Sequence, residues 1–224
     1  MPATSFAERC GIHSPQREQA LQHALRTVRE RALREVRFVW CDIHGTTRSK
    51  TLMPDAVEGA LRNGVGMVST LMLKDTSDRT AFKVFEPDGT VSLPGFGQAN
   101  NFLLRPDPQS FVRLPWTEST GWLRAQPLFP DGRAVTLDTR CVLQQALARL
   151  DRHGWSMRCG LEVEFHIYKI YSTDAQLNPE LADWPSDAPQ VRMLHPGYNL
   201  LTEAWFDMAE PALRIVQRTA QALG

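Results

Sequence analysis

Leu161-Glu-Val-Glu-Phe-His-Ile167 alternates apolar and polar residues without a break, with Leu161, Val163, Phe165 and Ile167 on one side and Glu162, Glu164 and His166 on the other. Period two is the spacing of a half-buried strand, whose successive side chains point to opposite faces. The same geometry sets neighbours on one face roughly 6.5–7 Å apart. Two carboxylates at that separation can flank a pair of hard divalent cations, which take oxygen ligands and lie about 3.5–4 Å apart in two-metal sites. Taken alone, a Glu-x-Glu on a strand is more often a solvated face, since charged residues are mostly exposed. The surrounding sequence has to decide between the two.

On the C-terminal side, Asp174 to Pro196 is rich in Pro, Asp and Ala and carries no period, so it reads as a loop or flap. Thr202 to Leu223 then has helical spacing, with Pro211 predicting a break or a fresh helix start. On the N-terminal side, Val142, Leu143, Ala146, Leu147 and Leu150 share one face of a helix from Arg140 to His153 that closes at Gly154. The pattern changes near Asp138, which is where we place the domain boundary.

Before it, Phe102–Arg105, Gly121–Leu128 and Arg133–Leu137 read as short strands. The stretch 64–94 is strand-like but interrupted, with a turn at Pro87-Asp-Gly89, and Pro94–Gln98 reads as loop. Val36–Asp42 and Arg48–Met53 form a hairpin around His44-Gly45, followed by a helix from Pro54 to Arg62 stopped near Gly64. Ser14-Pro15 opens a helix that reaches about Arg34. The expected organisation is a helical segment over 1–35 beside the first domain, an α+β domain over 36–137, and a further domain from 138 to 224.

The 224 residues are 42% hydrophobic, enough for a sizeable core, and the formal net charge is zero. That balance provides no clustered positive charge for nucleic acid or an anionic membrane. No apolar run approaches the roughly 20 residues of a membrane span, and the start has no signal-peptide pattern, so a cytoplasmic location is expected. Cys10, Cys41, Cys141 and Cys159 are scattered and read as reduced thiols. There is no Gly-x-Gly-x-x-Gly or Gly-x-x-x-x-Gly-Lys loop for a nucleotide.

Arg105-Pro-Asp-Pro108, Leu114-Pro-Trp116, Asp131-Gly132, Leu137-Asp-Thr-Arg140, a helix and Gly160-Leu-Glu-Val-Glu-Phe165 follow one another in order. That series resembles the glutamine synthetase family. Phe38-Val-Trp-Cys-Asp-Ile-His-Gly45 with Lys50 resembles the first hairpin of its N-terminal domain, and Gly197 to Glu203 resembles the segment after the metal strand in amine-ligase-like members. The resemblance implies a β-grasp domain over 36–137, then the first portion of a catalytic α/β half-barrel with antiparallel strands. It also implies an ATP-dependent ligase that phosphorylates the side-chain carboxylate of glutamate and lets ammonia or an organic amine displace the phosphate.

Phosphoryl transfer between anions asks mainly for positioning and for neutralising cations. By resemblance, Glu162 and Glu164 match the family's first pair of metal ligands, for Mg²⁺ or Mn²⁺. Lys74-Asp-Thr-Ser-Asp-Arg-Thr-Ala-Phe82 falls where the family carries an Asp-Gly-Ser-Ser loop that binds ammonium in the neighbouring subunit's site. Asp75 would then be the catalytic carboxylate that holds the amine and takes its proton, with Ser77 and Asp78 beside it as substrate-binding residues. Thr76 replaces the family Gly, and Asp78 adds a second acid that could select a longer amine such as a polyamine. The alternative for this loop is a solvated turn with an ion pair to Arg79.

The resemblance covers nearly all of residues 36–224 but only the first half of a family member, so the other metal ligands and the ATP-binding residues are expected beyond Gly224. Two function classes follow. One is a ligase portion acting in a homo-oligomer on glutamate and an amine. The other is a non-catalytic remnant or interaction module that joins rings of full-length relatives.

Overall fold

The computed structural model describes residues 10, 13–84, 93–96, 100–171, 190–194 and 201–223. The Pro87-Asp-Gly89 turn, nearly all of the 174–196 loop and residues 197–200 of the segment leading to Glu203 lie outside the described residues. The chain divides into two compact units, Met1–Met157 and Arg158–Gly224, whereas the sequence placed a boundary near Asp138.

The first unit opens with α1 (Pro15–Glu30). Ser14 caps it, its Oγ accepting the Arg17 N–H at 3.1 Å, and proline is tolerated in the first turn, where its missing N–H is not needed. The helix stops at Glu30, short of the expected Arg34. Ala32 adopts φ 47°, and the Leu33 N–H returns to the Val28 carbonyl at 3.0 Å, which closes the last turn and buries Leu33. β1 (Glu35–Cys41) and β2 (Thr47–Leu52) form the expected hairpin. α2 (Pro54–Asn63) ends at Gly64, whose φ of 74° suits a residue without a Cβ.

β3 (Val65–Val68), β4 (Asn101–Pro106), β5 (Val112–Arg113) and β6 (Thr120–Leu128) complete a sheet in the order β2-β1-β6-β4-β3, with β5 also on β6. β1 and β6 run parallel, and the other pairs are antiparallel. Val36, Phe38 and Trp40 alternate into the core, where they join Leu21, Ala24, Leu25 and Val28 of α1 and Val57, Ala60 and Leu61 of α2. The N-terminal helix therefore shares the sheet's own core. Phe96, Phe102 and Phe129 fill it edge to face, with ring centroids 5.6–5.7 Å apart.

The expected strand over Arg133–Leu137 is reduced to a single bridge between Leu128 and Ala134, because Asp131-Gly132 folds the chain back tightly and Gly132 takes φ 87°. α3 (Thr139–Asp151) follows, capped by Asp138.

In the second unit, β7 (Tyr168–Ile170) pairs antiparallel with β8 (Val191–Met193). α4 (Glu203–Leu223) runs unbroken through Pro211, against the expected break. Proline removes one intrahelical bond at a cost of about 3 kcal/mol, and the helix on either side is long enough to carry through. Among the described residues no helix is long and apolar enough to cross a membrane.

Candidate functional site

Residues Lys74 to Thr80, the segment predicted to bind an amine, form a closed turn. An antiparallel bridge joins Lys74 to Thr80, the Asp75 N–H reaches the Arg79 carbonyl at 2.8 Å, and the Asp78 N–H reaches the Asp75 carbonyl at 3.0 Å. Asp75 organises the turn, since its Oδ1 accepts the N–H of Ser77 and of Arg79, both at 2.9 Å. Aspartate is suited to this because its short side chain reaches its own backbone two residues on. Asp75 is exposed, and its second carboxylate oxygen takes no hydrogen bond among the described residues.

The turn is fastened to the β1–β2 hairpin. His44 Nε2 lies 2.8 Å from the Lys74 carbonyl, and the Arg48 guanidinium pairs with the Asp78 carboxylate. Arg48 also donates to Asp42 Oδ2 at 2.9 Å, while Asp42 Oδ1 accepts the N–H of His44 at 2.9 Å and of Thr46 at 3.0 Å. Asp42 is fully buried, so these bonds satisfy a carboxylate that water does not reach. The hydrogen bond from Arg48 holds the Asp78 carboxyl below the usual carboxylate range and, reciprocally, pushes the Arg48 guanidinium up. Asp78 sits at φ 57°, in the left-handed region that aspartate tolerates better than most residues.

The structure thus brings Asp75, Ser77 and Asp78 into one turn. Within that turn Asp78 pairs with Arg48, an ion pair the sequence reading did not foresee. Asp42 and Arg48 went unnoticed as anchors. The hairpin register sets Arg48 opposite Trp40, two residues from Asp42, so an acid just before a Gly turn with an arginine just after it was the readable sign.

Glu162 and Glu164 lie in the second unit. The expected strand over Leu161–Ile167 is absent, because β7 begins only at Tyr168. Leu161, Val163 and Phe165 are 92%, 64% and 47% exposed. Among the described residues no strand runs beside 161–166, and an unpaired strand leaves its N–H and C=O groups to water without covering its apolar face. The chemistry of two carboxylates suits a hard cation such as Mg²⁺ or Mn²⁺. Among the described residues, however, no group of three or more His, Cys, Asp or Glu side chains could hold one. The pair supplies part of a coordination shell.

No protein-family model matches the chain. Among curated proteins, a γ-glutamylanilide synthase of an Acinetobacter species is 26% identical over 219 residues, which are 95% of this chain and 43% of that protein. A glutamine synthetase of Mycolicibacterium smegmatis is 33% identical over 168 residues, 72% of this chain and 33% of that protein. The chain therefore spans less than half the length of these relatives. A solved glutamine synthase homologue is 25% identical and covers 54% of this chain and 27% of its own, with a TM-score of 0.44, too low to bear on the fold.

Proposed function

From its membership of the glutamine synthetase family, we propose that this chain is part of an ATP-dependent ligase that joins the side-chain carboxylate of glutamate to ammonia or an organic amine through a γ-glutamyl phosphate. The observation that carries this reading is the Gly160-Leu-Glu-Val-Glu-Phe165 run, in order after the Arg105-Pro-Asp-Pro108 and Leu137-Asp-Thr-Arg140 segments, in a chain related to such synthetases along 95% of its length. Residues 36–137 are then a β-grasp domain and 138–224 the first portion of the catalytic domain.

In this reading Glu162 and Glu164 supply carboxylate oxygens to Mg²⁺ or Mn²⁺, and the other ligands come from outside the described residues. The bound metal would neutralise the phosphate oxygens during transfer. Asp75 holds the incoming amine through its open carboxylate oxygen and takes its proton. Its other oxygen is already committed to the turn, which fixes the carboxylate's direction. A polyamine would have to draw Asp78 away from Arg48, so selection of a long amine is set by the strength of that ion pair.

The test uses a protein containing the whole catalytic domain. Calorimetric titration with Mn²⁺ should show binding that Glu162→Ala and Glu164→Ala each largely abolish, together with turnover. Unchanged metal binding in both variants would reduce the pair to a solvated surface. Rates with ammonium, ethanolamine and putrescine, repeated in Asp78→Ser, then identify the amine. Ammonium as the best substrate, with a preference indifferent to Asp78→Ser, removes the second carboxylate from selection.

A further inference from the structure

A cleft of about 200 Å³ in the first unit is lined by Arg17, Arg105, Arg140, Asp107, Gln126 and Gln144. Separate parts of the fold build it. Arg17 comes from the first turn of α1, and its two terminal nitrogens donate to the carbonyls of Pro106 and Leu61, both at 2.8 Å, which holds the guanidinium against the end of β4. Arg105 lies opposite Gln126 in the β4–β6 register, and its guanidinium bonds to the Gln126 amide oxygen. Arg140 and Gln144 are four apart on α3 and so share one face.

Three guanidiniums face one carboxylate here, and that carboxylate is turned elsewhere. Asp107 Oδ1 accepts the Gln109 N–H at 3.1 Å, and Oδ2 lies 3.4 Å from Arg124. The Arg140 guanidinium donates no hydrogen bond and makes no ion pair among the described residues. Burial, and then the nearby charge of Arg105, lower the pKa of Arg17 against the opposing pull of the Asp107 and Glu18 carboxylates, and the lining itself holds three guanidiniums to one carboxylate. Proteins place unbalanced guanidiniums together where they meet an anion, because the planar fork matches phosphate and carboxylate oxygens.

We propose that this cleft binds a dianionic phosphate group, free or as a small monoester, with Arg140 as its main ligand and Arg105 and Arg17 behind it. A phosphate carries about −1.5 to −2 at neutral pH and three acceptor oxygens, which suits several converging donors better than a single carboxylate does. The cleft shares no lining residue with the turn that carries Asp75, and the proposal does not depend on the ligase reading.

Calorimetric titration of the 224-residue chain with inorganic phosphate and with ribose 5-phosphate, at neutral pH and fixed ionic strength, tests it. Binding should weaken about ten-fold in Arg140→Gln, the loss of a charge-assisted contact, and stay unchanged in Arg133→Gln, which removes the same charge from an exposed pair with Asp131. A thermal melt checks that Arg140→Gln still folds, and Arg105→Gln serves as the second variant. Tighter binding of ribose 5-phosphate assigns the site to a monoester, and tighter binding of inorganic phosphate to the free ion. No binding, an equal loss in Arg133→Gln, full affinity in both Arg140→Gln and Arg105→Gln, or stronger binding of citrate than of either phosphate overturns the proposal.

Discussion

β1 and the stretch Leu161–Ile167 carry the same alternation of apolar and polar residues, yet one is a buried strand and the other is not a strand. In β1, Val36, Phe38 and Trp40 sit in the core, with β2 on one edge, β6 on the other and two helices contributing to the same core. Around Glu162 the positions that would match them stand in solvent. Alternation specifies which residues share a face. Whether that face is covered depends on neighbouring strands that a local pattern does not contain.

The largest effect that could break this comparison is a pair of truncations. Phe38→Ala should cost about 3–5 kcal/mol of unfolding free energy, because it empties a fully buried ring position among packed neighbours. Phe165→Ala should change it by no more than about 0.5 kcal/mol, as an exposed side chain has little packing to lose. Urea denaturation of both variants is the measurement. A cost at Phe165 near that at Phe38 would mean that the apolar face around Glu162 is covered after all.

The first unit was legible wherever pattern and punctuation agreed. Pro54 and Gly64 bracket α2, Ser14 starts α1, and the alternation through Val36, Phe38 and Trp40 finds β1. Arg133–Leu137 misled because a short apolar alternation after a tight turn looks like a strand while lacking the length to pair beyond one bridge. Pro211 misled in the opposite sense, since it marks a lost hydrogen bond without fixing whether the helix survives it. At the candidate site, the residues of the Asp75 turn could be named from the sequence. Their anchoring could not, because Arg48 meets Asp78 across 30 residues of chain.

A smaller effect sharpens the comparison within the first unit, between the two acids that share Arg48. Asp42→Ala removes the acceptor of two backbone N–H groups and of a largely buried guanidinium, and should cost about 1–3 kcal/mol. Asp78→Asn, on the exposed side of the same arginine, should cost clearly less. The pH dependence separates them further. Because Arg48 lowers the folded-state pKa of Asp78, its contribution is fully present above the ordinary carboxylate value and fades as pH falls through the lowered one. Acid melts of the parent chain and of Asp78→Asn should converge at the low end of that window.

Asp138 has the opposite sign and the smallest expected effect. It is buried at the start of α3, where its Oδ1 accepts the Arg140 N–H at 3.2 Å and its Oδ2 has no hydrogen-bond partner among the described residues. Burial raises its pKa, only partly offset by the nearby backbone N–H groups of Arg140 and Cys141. The folded chain therefore holds the proton to higher pH than the unfolded chain does, so stability falls as pH rises from the ordinary carboxylate value through the raised one. Asp138→Asn keeps an amide oxygen for the cap and has no charge to desolvate, so it should flatten that slope and be neutral or slightly stabilising at neutral pH. Asp138→Ala loses the cap as well and should cost about 1 kcal/mol. Thermal melts of the three chains, from the ordinary carboxylate range upward to neutral pH, decide it. A steeper slope in Asp138→Asn than in the parent would mean that the charged form is the one this helix start was built to hold.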